Sequence, residues 1–226
     1  MQLLHLICKS GLFVVAAFER GSQSMPITPV ELVGTVAVAL GVPVGTVKNY
    51  DRRLMEASLR TKKGHGRGSA LMGAEDAAVL LAAIASTEEI GRAAECVLML
   101  YDLPFAGKTS DHPRNEYEDI SFLCDALGST EKEVNTFGKA IVAIMRHLVG
   151  GDDPKHYFGF EVSIAGGAPY AADLIITTPK KTRRIEFYRK GAIGNTIDAC
   201  LRVKREITGS APVIVANAIA ERPRAV

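Results

Sequence analysis

The chain has 226 residues, of which 47% are hydrophobic and 23% charged, and its formal net charge is +2. This composition is that of a globular protein with one large or two small domains, and it argues against a low-complexity chain. No uninterrupted apolar tract reaches the roughly 18 residues that a membrane span needs, so the sequence predicts no membrane association.

The four cysteines are Cys8, Cys96, Cys124 and Cys200. They form no C-x-x-C pair and have no histidine at metal-ligand spacing, which argues against a zinc site or a disulfide framework. We therefore expect free thiols, a cytoplasmic protein, no bound metal and no cofactor.

Residues 1–24 contain two short apolar runs, LLHLIC and LFVVAAF. A secretory signal is one interpretation, but the basic leader is missing and no small-x-small cleavage site precedes Glu19. Met25 stands directly before the first helix signal. We interpret residues 1–24 as an extension or a mis-assigned start, with a poorly packed helix as the alternative.

The first predicted helix begins at Pro29 and ends at Gly41. Thr28 and Glu31 have the spacing of a capping box, and Pro29 is suited to the first helical position, where no N–H is needed. Gly41 can adopt the left-handed conformation that ends helices.

A second helix is predicted from about Val44 to Ala57. At 100° per residue, one face carries Val47, Tyr50 and Leu54, and this face should be buried. Asp51 lies near the buried side and requires a partner. The opposite face carries Gly45, Asn49, Arg52, Arg53 and Glu56. The apolar and small positions around Gly41 fit a helix-turn-helix; they are Val36, Ala37, Leu40, Val42, Val47 and Tyr50.

A basic turn, defined here as residues 60–67, follows the second helix and precedes the helical pattern GAEDAAVLLAAI. Seven Lys or Arg stand against two acids from Val44 to Ala70, a local charge of +5, and the rest of the chain therefore carries −3. This concentration of positive charge is typical of a surface that meets DNA.

The segments VALGVPVGTVKNYDRRLMEASL and AEDAAVLLAAI, with the turn between them, resemble the winged helix of the mercury-resistance (MerR) regulators and of small prophage regulators. The resemblance implies that the second helix enters the major groove and that the basic turn contacts the flanking backbone. This sequence departs from the family at Pro43, where Ser is usual, and at Ser58, where Gly is common. No long coiled coil or cysteine effector site follows, so no effector is predicted.

Asn and Arg can read adenine and guanine edges, whereas Lys and Thr suit phosphate oxygens. The predicted contacts to double-stranded DNA are Thr46, Lys48, Asn49, Arg52, Arg53, Arg60, Lys62, Lys63, His65 and Arg67. A winged domain used only for protein contacts is the alternative.

In the middle of the chain, Ser86 and Glu89 form a second capping-box pattern before a helix that packs on the first domain. A polar, proline-containing linker is predicted at 106–118. Two further helices are expected between Tyr117 and Val149, separated at 128–130, and the second should begin with a Thr130–Glu133 box and continue through EKEVNTFGKAIVAIMRHLV.

Alternating stretches predict three strands, YFGFEVSIA, AADLIITT and RRIEFYRK. A helix from about Asn195 to Ile207 and a strand in PVIVANAI should complete the chain. The predicted fold class is α+β, with a winged helix-turn-helix at 25–105 and a C-terminal domain at 119–226. That domain should combine helices with a small α/β unit that contains a β-hairpin.

A competing interpretation rests on Asp173 and Glu186, whose order in adjacent strands is similar to the PD-(D/E)xK nuclease core. There two carboxylates and a Lys hold Mg²⁺ and orient water. Tyr188 stands where that Lys is needed, so Lys190 would have to replace it.

The sequence thus predicts a DNA-binding transcriptional regulator of bacterial or prophage type. We expect it to be a homodimer, because two-fold DNA sites mirror a dimer. The alternatives are a Mg²⁺-dependent nuclease with a DNA-docking domain and a protein-interaction adaptor.

Overall fold

The computed structural model describes residues 27–62, 70–106, 120–150, 157–165, 168–177, 182–188, 202–207 and 210–220. Helices and an antiparallel sheet make up these segments, so the fold is α+β. No helix in these segments is long and apolar enough to cross a bilayer. The predicted extension at 1–24 lies outside the described residues.

Helix α1 (Pro29–Leu40) has the predicted ends. The backbone N–H of Thr28 donates to the Glu31 carboxylate at 2.8 Å, and the N–H of Glu31 donates to the Thr28 hydroxyl at 3.4 Å. Gly41 ends the helix with φ of 63°, a conformation that costs glycine least. Both end signals are confirmed.

Helix α2 (Val44–Glu56) buries the predicted face. Val47, Tyr50 and Leu54 are each at most 4% exposed. The Tyr50 hydroxyl donates to the carbonyl of Thr87 at 2.6 Å, which ties α2 to the turn that follows the next helix. The orientation of α2 about its own axis is therefore fixed by apolar burial and one buried hydrogen bond.

Helix α3 (Ala74–Ser86) is followed by a short 3₁₀ turn (Ile90–Arg92) and helix α4 (Ala93–Tyr101). The predicted capping box at Ser86 and Glu89 is wrong. Ser86 is the last residue of α3, and its hydroxyl donates to the carbonyl of Ala83 at 3.0 Å. The side chain of Thr87 stabilises the turn after α3 instead, because its hydroxyl accepts a hydrogen bond of 3.0 Å from the Glu89 N–H.

Helices α5 (Ile120–Leu127), α6 (Glu131–Val134) and α7 (Phe137–Val149) follow. The Thr130–Glu133 box is confirmed, since the Thr130 N–H donates to the Glu133 carboxylate at 2.7 Å.

The long helix predicted after Thr130 is instead divided between α6 and α7. The Phe137 N–H donates to the Leu103 carbonyl at 2.9 Å, and the Phe105 N–H donates to the Asn135 carbonyl at 3.0 Å. Backbone groups at the break thus bond to residues 103–105 rather than along a continuous helix.

The sheet contains β1 (Tyr157–Ala165), β2 (Ala168–Thr177), β3 (Thr182–Tyr188) and β4 (Arg202–Ile207), in the order β3-β2-β1-β4. All neighbouring pairs are antiparallel, and the first three strands lie where the alternating pattern predicts them. One face carries the apolar side chains that pack into the core, Phe158, Phe160, Val162, Leu174, Ile176, Ile185 and Phe187.

The last two elements differ from the prediction. Residues 202–207 of the expected helix form strand β4, and PVIVANAI lies within helix α8 (Ser210–Ala220). Strand β4 is stabilised by its pairing with β1 from Phe160 to Ala165. Within α8, Ala211, Val215 and Ile219 recur every four residues and are buried. An apolar run of this length fits a strand or a helix, and tertiary packing decides between them.

The buried side chains form one cluster that extends from Ile27 to Ile219. Helix α8 packs on α1, and α7 packs on α3, so the N-terminal helices share a core with the C-terminal elements. Within the predicted linker only Ala106 is described. It is buried, and its N–H donates to the Glu186 carbonyl at 3.0 Å.

Candidate nucleic-acid interface

The outward side of α2 carries polar side chains, as its pattern predicts. Lys48, Asn49, Arg52 and Arg53 are exposed, and Thr46 is half-buried. Because the opposite side of α2 is held in the core, these groups project together from one surface. Val44, 54% exposed at the first turn, adds an apolar group to the same helix.

Glu56 forms ion pairs with both arginines of this surface. Its carboxylate lies 3.8 Å from Arg52 Nε and 3.1 Å from Arg53 Nη1. These pairs were not predicted, although the spacings of four and three residues are those of helix ion pairs. Glu56 therefore places a negative charge beside the two guanidinium groups that we expected to meet DNA.

Arg60 is the partner that Asp51 requires. Arg60 Nε donates to Asp51 Oδ1 at 2.5 Å, and Arg60 Nη2 donates to Asp51 Oδ2 at 2.6 Å. The two side chains are only 7% and 10% exposed. Arg60 Nη1 also donates to the carbonyl of Thr61 at 2.9 Å. The guanidinium of Arg60, predicted as a DNA contact, is therefore buried and bonded to protein atoms on all three sides, and it does not project with the exposed groups of α2.

Asp76, near the start of α3, connects the two ends of the segment that contains the basic turn. Its carboxylate accepts the N–H of Thr61 at 2.7 Å and the N–H of Gly73 at 3.0 Å. Met72 forms an antiparallel bridge with Ile27, with N···O distances of 2.7 and 3.2 Å. Both ends of the segment between Thr61 and Met72 are therefore held against the helices.

Ser58 follows α2 with a φ of 61°, a left-handed conformation that costs Gly less than Ser. The Ser58 hydroxyl also accepts a hydrogen bond of 2.7 Å from the ammonium group of Lys62, whose side chain is exposed. Of the remaining predicted contacts, Lys63, His65 and Arg67 lie outside the described residues.

Asp173 and Glu186, the carboxylates of the nuclease interpretation, are direct neighbours across β2 and β3. On its other side Asp173 faces Glu161 of β1. Arg184 Nη1 lies 3.3 Å from the Glu161 carboxylate and 3.4 Å from that of Asp173. One guanidinium therefore pairs with two of these three acids. Neither Glu161 nor the pairing of Arg184 with these acids could be predicted from residue spacing, because only the strand register brings these side chains together.

Lys190 lies outside the described residues. Within the described part of the chain, no three His, Cys, Asp or Glu side chains are grouped so that they could hold a metal ion. The arrangement that the structure describes is therefore a cross-strand ion-pair network.

Of the described cysteines, Cys96 is buried and Cys124 is half-buried, and no disulfide joins the two. Burial is the main cause that raises the pKa of Cys96, and the nearby Arg92 guanidinium partly opposes it. A buried thiol with a raised pKa is a poor nucleophile at neutral pH.

Comparison with protein-family models, with characterised proteins and with solved structures finds no match to this chain.

Proposed function

We propose that this chain is a sequence-specific, double-stranded DNA-binding regulator of bacterial or prophage type. In this proposal α1 and α2 are the helix-turn-helix, α2 enters the major groove, and the basic turn is a wing on the adjacent backbone. The observation that carries the proposal is the exposed side of α2, where Asn49 and Arg52 project from a helix whose other side is buried.

Each exposed residue has a role that follows from its chemistry. Asn49 pairs with an adenine edge and Arg52 with a guanine edge, because both side chains can form two hydrogen bonds to one base. Lys48, Arg53 and Lys62 contact phosphates. Thr46 is a further phosphate contact at the start of the helix.

The ends of the wing support the same proposal. The Asp51–Arg60 pair fixes the segment directly after α2, and Asp76 holds Thr61 close to Gly73. A wing with a fixed base loses less conformational entropy when it binds the DNA backbone. Lys62, the residue after Thr61, would then extend from a rigid base beside α2.

A homodimer is part of the proposal, since two copies of α2 on a two-fold site double the contact surface. Regulators of this kind act in the cytoplasm. The test is a gel mobility-shift titration on genomic fragments at several salt concentrations. Preference for particular fragments that persists at moderate salt supports the proposal, whereas equal and salt-sensitive binding to all fragments contradicts it.

The described residues support a nuclease less well than a DNA-binding regulator. Asp173 and Glu186 are adjacent, which that interpretation requires. However, Asp173 already pairs with Arg184, a cation that would compete with Mg²⁺ for the same oxygens. The donor set among the described residues therefore fits an ion pair better than a divalent cation.

A further inference from the structure

The two most exposed large apolar side chains in the described part of the chain lie on one side of α1. Val30 is 81% exposed and Val38 is 79% exposed, and the next, Val44 of α2, is 54% exposed. Gly34 stands midway between the two valines of α1, and positions four residues apart share one side of a helix. We call Val30, Gly34 and Val38 the α1 patch.

The described chain gives no packing reason for Gly34. The residue lies inside a helix, where Gly is less favourable than any residue except Pro. A left-handed backbone would justify a glycine, but among the described glycines only Gly41 and Gly128 have a positive φ. A close neighbour would also justify it, but a Cβ built at Gly34 meets nothing within 4 Å. The remaining reason is the close approach of another molecule to the notch between the two valines.

The surroundings of the α1 patch carry almost no charge. Glu31 is the one charged residue of α1, and α8, which packs on α1, contains none. The Glu31 carboxylate accepts hydrogen bonds from the Thr28 N–H at 2.8 Å and from the Thr28 hydroxyl at 2.6 Å, at the N-terminal end of the helix. Helix α8 also exposes an apolar side chain, that of Ile214.

This lack of charge favours a second copy of the chain as the partner. At a two-fold interface each group near the axis meets its own copy, so a charged group there would meet a like charge. The α1 patch avoids this repulsion, because its three residues are uncharged. A strongly charged partner would find no opposite charge on the patch.

We propose that the α1 patch binds the α1 patch of a second copy, across a two-fold axis near Gly34. The rows formed by Val30, Gly34 and Val38 interdigitate, an arrangement in which two helices cross at about 50°. Gly34 lies at the crossing and lets the two helices approach closely. The inference deepens the proposed function, which includes a homodimer, but the patch itself is argued without DNA.

The size of the patch predicts a weak dimer. Stable interfaces bury about 800 Å² on each partner. Helix α1 has 12 residues and is therefore about 18 Å long, so its exposed side provides less than this area. We expect a dissociation constant in the micromolar range.

The test is sedimentation equilibrium of the full chain without DNA, from submicromolar to several hundred micromolar concentration. We expect the mass to rise toward that of two chains. Val38→Glu should weaken self-association at least tenfold, because two apolar contacts are lost and two carboxylates approach each other. Gly34→Leu should weaken it similarly by filling the notch. Leu should not lower the melting temperature of the single chain, because it is the better helix former.

Leu98→Glu is the matched control. Leu98 is 52% exposed in the last turn of α4, so this variant also exchanges an exposed apolar side chain for a carboxylate near a helix end, outside the patch. It should leave the dissociation constant unchanged. Melting at submicromolar concentration, followed by circular dichroism, compares the folds of all variants.

A native chain that stays monomeric at every concentration overturns the proposal. If Val38→Glu then melts below Leu98→Glu, the patch is covered by its own chain; if the two melt alike, a second copy is still excluded as the occupant. A dimer that both α1 variants leave intact also overturns the inference, because its interface lies elsewhere. That last result leaves the proposed DNA binding standing, whereas a failed mobility shift leaves the α1 dimer standing.

Discussion

Arg60 and Asp51 form a buried, two-bond ion pair, with N···O distances of 2.5 and 2.6 Å, that joins α2 to the segment leading into the basic turn. The pair holds Arg60 against the helix rather than toward solvent. Removing one member of such a pair leaves an unpaired buried charge, which is more costly than losing the attraction alone.

We therefore expect Arg60→Ala to lower the free energy of unfolding by about 3 to 5 kcal/mol. Urea denaturation followed by circular dichroism measures this change. Lys62→Ala, two residues along and exposed, should change stability by less than about 0.5 kcal/mol. Equal effects of the two substitutions would show that the Asp51–Arg60 pair does not stabilise the fold.

Gly138 of α7 lies directly against the Tyr101 side chain. A Cβ built at Gly138 would overlap the ring and come within 2.8 Å of Tyr101 Cβ. Gly138→Ala should therefore destabilise the chain by about 1 to 3 kcal/mol through overpacking. The comparison is Gly91→Ala, where a Cβ meets nothing within 4 Å. If thermal melting shows the same midpoint for both variants, the close packing of α4 on α7 is refuted.

Ser58 offers a stabilising substitution. A non-glycine residue at φ of 61° is strained, and Ser58→Gly should raise the free energy of unfolding by roughly 1 kcal/mol, less the loss of the Lys62 hydrogen bond. Ala57→Gly is the control, since Ala57 has a right-handed conformation with φ of −79°, and Gly there should destabilise. Chemical denaturation of both variants distinguishes relief of strain from a general effect of glycine.

Glu56 should limit nonspecific DNA affinity. Its carboxylate pairs with Arg52 and Arg53 and would also repel phosphates near α2. Glu56→Gln should strengthen binding to random DNA severalfold and steepen the dependence of log K on log salt by about one unit. Glu131→Gln, an equal charge change at an exposed position of α6, should leave both quantities unchanged. Affinity that does not rise in Glu56→Gln would exclude this role.

Local signals were sufficient to predict much of the N-terminal structure. The Thr28–Glu31 box and Gly41 define α1 because caps act within a few residues, and the apolar spacing of α2 predicts which side is buried. The buried ion pair of Arg60 with Asp51 could not be predicted in this way. Its pairing depends on how the chain turns after α2, which residue spacing alone does not specify.

The C-terminal errors have a different cause. The segment PVIVANAI is apolar except at Asn217, and its packing against α1, α7 and β1 selects a helix. The segment RVKREI forms a strand because β1 offers a pairing edge. Likewise, the row of Glu161, Asp173 and Glu186 follows from strand register, whose partners are distant in sequence.

We propose above all that the exposed side of α2 reads DNA sequence. Its most direct test is selection of bound duplexes from a randomised library by the native chain, followed by affinity measurements on Asn49→Ala and Arg52→Ala. We predict an enriched motif, with each substitution costing about 1 to 3 kcal/mol on that motif and relaxing preference at one base position. No enriched motif, or unchanged affinity in both variants, would contradict the claim.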